Sequence, residues 1–314
     1  MKIITLDEIK SVLPSLDLVA DIEAGFAAYS NEQAVVPPVG ELLLDRGEVH
    51  IKYGYLHGDE YYVIKIASGF YDNPKVGLPS GNGLMLLFRQ RTGELVSILL
   101  DEGRLTDTRT AVAGAVAAKY LAPKYVERIG IVGTGVQARL QLQHLTSVTA
   151  CREVLVWGRG DEQLERLRGD LEVRGFAIEA TRNADDILRR CNLIVTTTPA
   201  KAPLLRASEL RAGTHITAVG SDTPHKEELD PAILREADIV VADSIAQCLE
   251  RGEIHQATRS GHITEDEIVE LGNVILGKTP GRTSDAQVTV ADLTGVAVQD
   301  IKIAEAVYKA VTGA

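Results

Sequence analysis

Glu127-Arg-Ile-Gly-Ile-Val-Gly-Thr-Gly-Val-Gln-Ala138 decides the fold. The Ile/Val run predicts a short buried strand, the glycines a tight turn, and the residues after them the start of a helix. Gly133, Gly135 and Ala138 fall on the G-x-G-x-x-G/A spacing of a dinucleotide-binding turn. A glycine at 133 permits the turn, and a side chain at 135 would block a pyrophosphate. A small residue at 138 lets the helix pack close to the strand. The helix N-terminus then presents free N–H groups and the positive end of its dipole to the phosphates. The spacing alone is weak evidence. Its place between an apolar run and a long helical pattern favours a cofactor turn over a plain strand–helix corner. The expected contacts are Gly133, Thr134, Gly135, Val136, Gln137 and Ala138.

Downstream, strands and helical segments alternate. The candidate strands are Ile129–Gly133, Glu153–Trp157, Ala177–Ala180, Asn192–Thr197, Thr214–Val219 and Asp238–Ala242. Asp230-Pro231 suits a helix start, with Asp as cap and Pro at the first helical position. Such alternation predicts an α/β, Rossmann-type, doubly wound parallel sheet. Loop and turn sequence is expected after Ile268, followed by Gly281–Gly295, to which the pattern assigns no element. A last helix follows, with Val298, Ile301, Ala304, Val307 and Val311 along one face, and is expected to return to the first domain.

Upstream the pattern differs. Thr5-Leu-Asp-Glu8 has capping-box spacing, and Ser15 is a candidate cap for a second helix carrying Val19, Ile22, Phe26 and Tyr29. Val49–Tyr55, Tyr61–Ala67, Gly83–Phe88 and Leu95–Leu100 are β-rich, and Arg91-Thr-Gly-Glu94 suits a hairpin loop. Thr110–Leu121 is a helix of mostly small residues that Pro123 ends. Two domains are therefore expected. Residues 1–122 with 296–314 form an α+β domain built from both chain ends, and 123–295 form the dinucleotide-binding domain.

The chain carries 33 basic and 44 acidic residues, a formal charge of -11, which argues against nucleic acid or an anionic membrane as the main partner. Cys151, Cys191 and Cys248 lie far apart, with no CxxC or Cys/His cluster, so neither disulfide nor metal site is expected. The polar N-terminus does not read as a signal peptide. A cytoplasmic protein is expected.

Ligands in such sheets bind at the carboxyl ends of the strands. The second strand ends at Trp157-Gly158-Arg159, where an NAD site usually places a carboxylate. Arg159 stands there instead, suited to a 2′-phosphate, so NADP(H) is expected, with NAD(H) as the alternative. The bland reading is a surface arginine opening the next helix. Thr196, Thr197 and Thr198 follow the fourth strand, and Val219, Gly220, Ser221 and Asp222 the fifth. Asp222 is placed to act near a nicotinamide, although Asp also commonly caps turns. Lys52 and Lys65 are charges inside apolar strands, costly unless paired or facing a pocket. Arg109 opens the small-residue helix, where a cation is unfavourable without an anion. Lys65 and Arg109 are candidates to hold a substrate carboxylate, or to form internal salt bridges.

Lys65-Ile-Ala-Ser-Gly-Phe-Tyr-Asp-Asn-Pro74, Leu105-Thr-Asp-Thr-Arg-Thr-Ala111, Gly133–Arg139, Ala218–Asp222, Lys226-Glu-Glu-Leu-Asp230 and the Thr-Gly-Val-Ala-Val-Gln-Asp ending at 300 together resemble the ornithine cyclodeaminase/mu-crystallin family over essentially the whole chain. The resemblance implies a homodimer acting on a small amino or imino acid, with 1–122 and 296–314 as its substrate-binding and dimerisation domain. Lys65 and Arg109 would bind the carboxylate, and Asp222, with Lys65, would form the catalytic group. Ser80, Arg109 and Thr110 would lie beside the cofactor. Many members carry an arginine near the position of Glu41 or Leu42. This chain has none, and Lys52 is expected to take over that contact. Glu41 is a candidate for a side-chain ammonium. The expected reaction is hydride transfer at Cα, by an imine reductase or amino-acid dehydrogenase. A cyclodeaminase that releases ammonia and a non-catalytic NADP(H)-binding protein are the alternatives.

Overall fold

The computed structural model describes residues 1–313. The chain forms two compact units: Met1–Thr110 together with the chain from Val296 onward, and Ala111–Gly295. The boundary falls inside the continuous helix Arg104–Leu121, upstream of the expected 122/123.

The first unit is built on a seven-stranded sheet. Its strands are β1 (Lys2–Ile4), β2 (Ala34–Val35), β3 (Gly40–Leu44), β4 (Gly47–Leu56), β5 (Tyr61–Gly69), β6 (Gly81–Arg89) and β7 (Leu95–Leu99). The order is β1-β7-β6-β5-β4-β2, with β3 also on β4, and only the β1–β7 pair is parallel. Alternation sends His50, Lys52 and Gly54 of β4 to the buried face. Register sets Lys52 opposite Lys65. The helix Ala297–Thr312 buries Val298, Ile301, Ala304 and Val307 against β4 and β5, which is why it belongs to this unit. Thr5 and Glu8 form the expected capping box. The cap of helix Leu18–Ser30 is Asp17 rather than Ser15, because Leu13–Ser15 closes as a separate 3₁₀ turn.

The second unit holds β8 (Ile129–Val132), β9 (Glu153–Trp157), β10 (Ala177–Thr181), β11 (Leu193–Thr196), β12 (Lys201–Leu205), β13 (His215–Ala218), β14 (Glu227–Leu229), β15 (Ile239–Ala242), β16 (Ile268–Glu270) and β17 (Thr289–Asp292). Eight form a wholly parallel sheet in the order β10-β9-β8-β11-β13-β17-β15-β16, and β12 pairs with β14 apart from it. The first five positions follow the Rossmann order, with β8 at the reversal of direction. The stretch after Ile268, expected to be loop and turn, holds most of β16 and the short helix Leu271–Ile275, and β17, where the pattern assigns no element, lies inside the sheet, between β13 and β15. All four residues of β17 are buried, so it shows no alternating pattern. Its Thr289 hydroxyl is satisfied internally, donating to Leu121 O at 2.9 Å. Among the described residues no helix is long and apolar enough to cross a membrane.

Candidate functional site

In the second unit, Gly133 has φ of 121°, and a Cβ there would lie 2.5 Å from Thr197 Oγ1. Only glycine fits this turn. At Gly135 a Cβ would meet nothing within 4 Å, so the space before the helix Val136–Leu145 is open. No side chain caps that helix, while Ala138 is fully buried beneath it. The Arg139 guanidinium folds back and donates to Thr134 O at 2.6 Å and Gly135 O at 3.1 Å. The turn carbonyls are thus occupied and the helix N–H groups are left to an anion. An open cradle at an uncapped helix start fits a dinucleotide pyrophosphate.

At the end of β9, Gly158 is buried, and a Cβ there would lie 2.6 Å from Thr134 Cγ2. Trp157 Nε1 donates to Arg182 O at 3.2 Å. Arg159 is exposed. The first carboxylate after this strand is Asp161, in the opening turn of helix Asp161–Glu172, with Arg182 at 3.6 Å.

The ends of β11 and β13 are tied together. Thr197 donates through N and Oγ1 to Val132 O, and Val219 N donates to Thr196 O at 3.1 Å. Thr198 N and Oγ1 donate to Glu228 Oε1 at 2.6 and 2.7 Å, and Gly220 N donates to Glu228 Oε2 at 3.0 Å. Ser221 Oγ donates to Lys226 O, and Lys226 Nζ to Asp222 Oδ1 at 2.6 Å. Asp222 therefore stands in an ion pair with the buried Lys226.

In the first unit, the structure brings Lys65 and Arg109 to one carboxylate that sequence reasoning did not single out. Asp300 Oδ2 lies 3.0 Å from Lys65 Nζ, and Asp300 Oδ1 accepts from Arg109 Nε at 3.0 Å. Arg109 Nη1 also donates to Gln299 Oε1 at 2.8 Å. All four side chains are buried, as is Lys52. Burial and the Arg109 cation bring the Lys65 ammonium down to about 8, against the pull of Asp300. Burial pushes the Asp300 carboxyl upward, but Lys65, Arg109 and Lys52 outweigh it and hold the group below the usual carboxylate range.

Arg109 is not at the helix start as expected. The helix begins at Arg104, with Asp101 Oδ2 accepting from Leu105 N, so Arg109 lies in the second turn and its anion comes from another helix. Glu41 accepts from His50 Nε2 at 3.1 Å. Ser80 is half-buried, and its carbonyl accepts from Phe70 N. Thr110 Oγ1 donates to Thr106 O. Asp300 left one signal in the sequence: a carboxylate on the otherwise apolar face of the last helix, between Val298 and Ile301.

A family model described as ornithine cyclodeaminase/mu-crystallin family matches residues 2–314. An uncharacterized cyclodeaminase of Sinorhizobium fredii is 46% identical over 98% of this chain and 95% of its own length. The solved structure of an archaeal alanine dehydrogenase dimer with bound NAD superposes with TM-score 0.91 at 33% identity, covering 99% of this chain and 96% of that one. The Δ1-pyrroline-2-carboxylate reductase of Thermococcus litoralis, in complex with NADH and L-proline, gives TM-score 0.94 at 27% identity, covering 100% and 98%.

Proposed function

Because the chain belongs to the ornithine cyclodeaminase/mu-crystallin family, we propose that it is an oxidoreductase that moves a hydride between a nicotinamide dinucleotide and Cα of a small α-imino or α-amino acid. The observation that carries this reading is the buried pair of cations, Lys65 and Arg109, sharing the single carboxylate of Asp300. Such an arrangement suits a second, incoming carboxylate.

The nicotinamide, when bound, supplies or takes the hydride at its C4. Lys65 and Arg109 bind the substrate carboxylate and orient Cα, which is a proximity effect. Lys52, opposite Lys65 in register, adds positive charge in place of the arginine that many family members carry near the position of Glu41 or Leu42. Asp222, held by Lys226, exchanges the proton with the substrate nitrogen. Ser80 and Thr110 are assigned to the cofactor from the motif resemblance. Arg159 and the lack of a carboxylate between Trp157 and Gly160 support NADP(H) over NAD(H). We also assign a cytoplasmic location and a homodimer. Leu42, Leu43, Leu44, Ile51 and Tyr53 are exposed on β3 and β4, an apolar surface that a second copy would cover.

The test is loss of reduced-cofactor absorbance with a panel of cyclic imino acids, and with pyruvate plus ammonia. Amine formation equal to cofactor consumed is the expected result. Tight cofactor binding with no turnover on any of them would contradict the reading. The 46% identity to a protein named a cyclodeaminase favours a second reading. L-ornithine converted to proline and ammonia with only catalytic cofactor would establish it.

A further inference from the structure

Three buried carboxylates in the second unit form a series. Asp292, at the end of β17, accepts from Ile254 N at 2.8 Å, at the start of helix Gly252–Arg259. Gly252 has φ of 90°, and a Cβ there would lie 2.5 Å from Asp292 Oδ2, so the contact requires glycine. Glu253, from the same helix, accepts from Glu228 N at 2.8 Å and Leu229 N at 3.1 Å, fixing β14. Glu228 then reaches back from β14 and receives Thr198 N, Thr198 Oγ1 and Gly220 N.

Glu228 is fully buried, and burial pushes its carboxyl up to about 7 while the donors from Thr198 and Gly220 pull it down. Burying an ionisable group is costly unless its hydrogen bonds return something specific. The only backbone units Glu228 binds in this way, among the described residues, are those just beyond β11 and β13. Gly220 approaches so closely that a Cβ would lie 2.3 Å from Thr198 O and 2.4 Å from Glu228 Oε2. These two strands belong to the second mononucleotide half of a Rossmann-type sheet, the half that faces the nicotinamide rather than the adenosine.

We propose that Glu228 is a positioning residue, whose carboxylate locks the loops after β11 and β13 at a fixed separation and so shapes the nicotinamide half of the cofactor site. The proposal rests on the dinucleotide reading above. Glutamine at 228 has one acceptor oxygen, so its amide N–H₂ must confront either the Thr198 donors or Gly220 N. One strand end is then released, while the glycine turn at 133–138 receives no bond from Glu228 and keeps its own ties from Thr197 to Val132 O.

The experiment uses the full-length protein. NADPH and NADH binding is followed by emission of the reduced nicotinamide ring. Binding of ADP-ribose and 2′-phospho-ADP-ribose, which lack that ring, is followed by calorimetry. Glu228→Gln is expected to weaken the better-bound dinucleotide about tenfold, leaving its ring-less counterpart within about twofold of wild type, the size of effect expected for one lost charge-assisted bond. Ring emission in the variant should move toward that of free cofactor. Equal losses for both ligands would mark a merely structural role and overturn the proposal, as would no loss for either. Should Glu228→Gln fail to fold, Thr198→Val keeps the carboxylate and removes one donor. It is expected to show the same split at about threefold, and equal losses would again overturn the proposal. Wild type binding neither ligand would overturn the dinucleotide reading itself, and Glu228 with it.

Discussion

Lys65 Nζ lies 3.0 Å from Asp300 Oδ2, and both side chains are buried. Removing one partner strands a charge, which costs about 3–5 kcal/mol in buried pairs. Asp300→Ala is expected to lower unfolding stability by that order in denaturant titration and to abolish turnover. Lys65→Met combined with Asp300→Leu should recover part of the stability, since no Lys65 charge remains to strand, and none of the activity. Recovery of activity in the double variant would contradict the role given to Lys65.

The same pair sets a pH dependence. The Lys65 ammonium falls from its usual 10.5 to about 8, through burial first and Arg109 second. Between those values the unfolded chain binds more protons than the folded one, so Lys65 raises stability with increasing pH, and this contribution is lost as pH falls through about 8. Substrate binding runs the other way, because the carboxylate needs the charged ammonium. The KM for substrate is expected to rise as pH passes upward through about 8. Lys65→Arg should flatten that limb, since a guanidinium stays charged.

The two glycines of the dinucleotide turn separate stability from binding. Gly133 carries positive φ and a crowded Cβ position, so Gly133→Ala should cost about 1–3 kcal/mol of stability. Gly135→Ala meets open space and should unfold like wild type. It should still lose dinucleotide affinity about tenfold or more, the equivalent of about 1.4 kcal/mol. Equal thermal shifts for the two variants would contradict the reading of the cradle.

The parts of this chain that were legible in its sequence are local ones. The glycine turn, the capping box and β8 to β11 are written in contiguous residues with strong spacing rules. β17 is not marked as a strand in the sequence, because a fully buried four-residue strand carries no alternation, and because β15 and β16 intervene before it enters the sheet beside β13. Lys65 and Arg109 were legible as charges needing an anion. Their partner Asp300 was not, since it stands 191 residues beyond Arg109. Lys226 and Glu228 lay in a quoted motif, but their contacts with Asp222, Thr198 and Gly220 depend on the fold of β14.

Arg159 is exposed at the end of β9, and no carboxylate precedes Asp161 there. Arg159→Ala is expected to raise KM for NADPH about tenfold while changing KM for NADH little, the loss expected of one charge-assisted phosphate contact. Unchanged NADPH kinetics would remove the assignment of Arg159 to the 2′-phosphate.

The most direct test follows one atom. The protein is incubated with reduced cofactor carrying deuterium at nicotinamide C4, in turn on each prochiral face, and with a cyclic α-imino acid. The amino-acid product is then examined by mass spectrometry. The account predicts one deuterium at Cα from one of the two labelled faces, with Asp222→Asn slowing its appearance. Product without deuterium from either face, or no product from any imine while the cofactor remains bound, would contradict it.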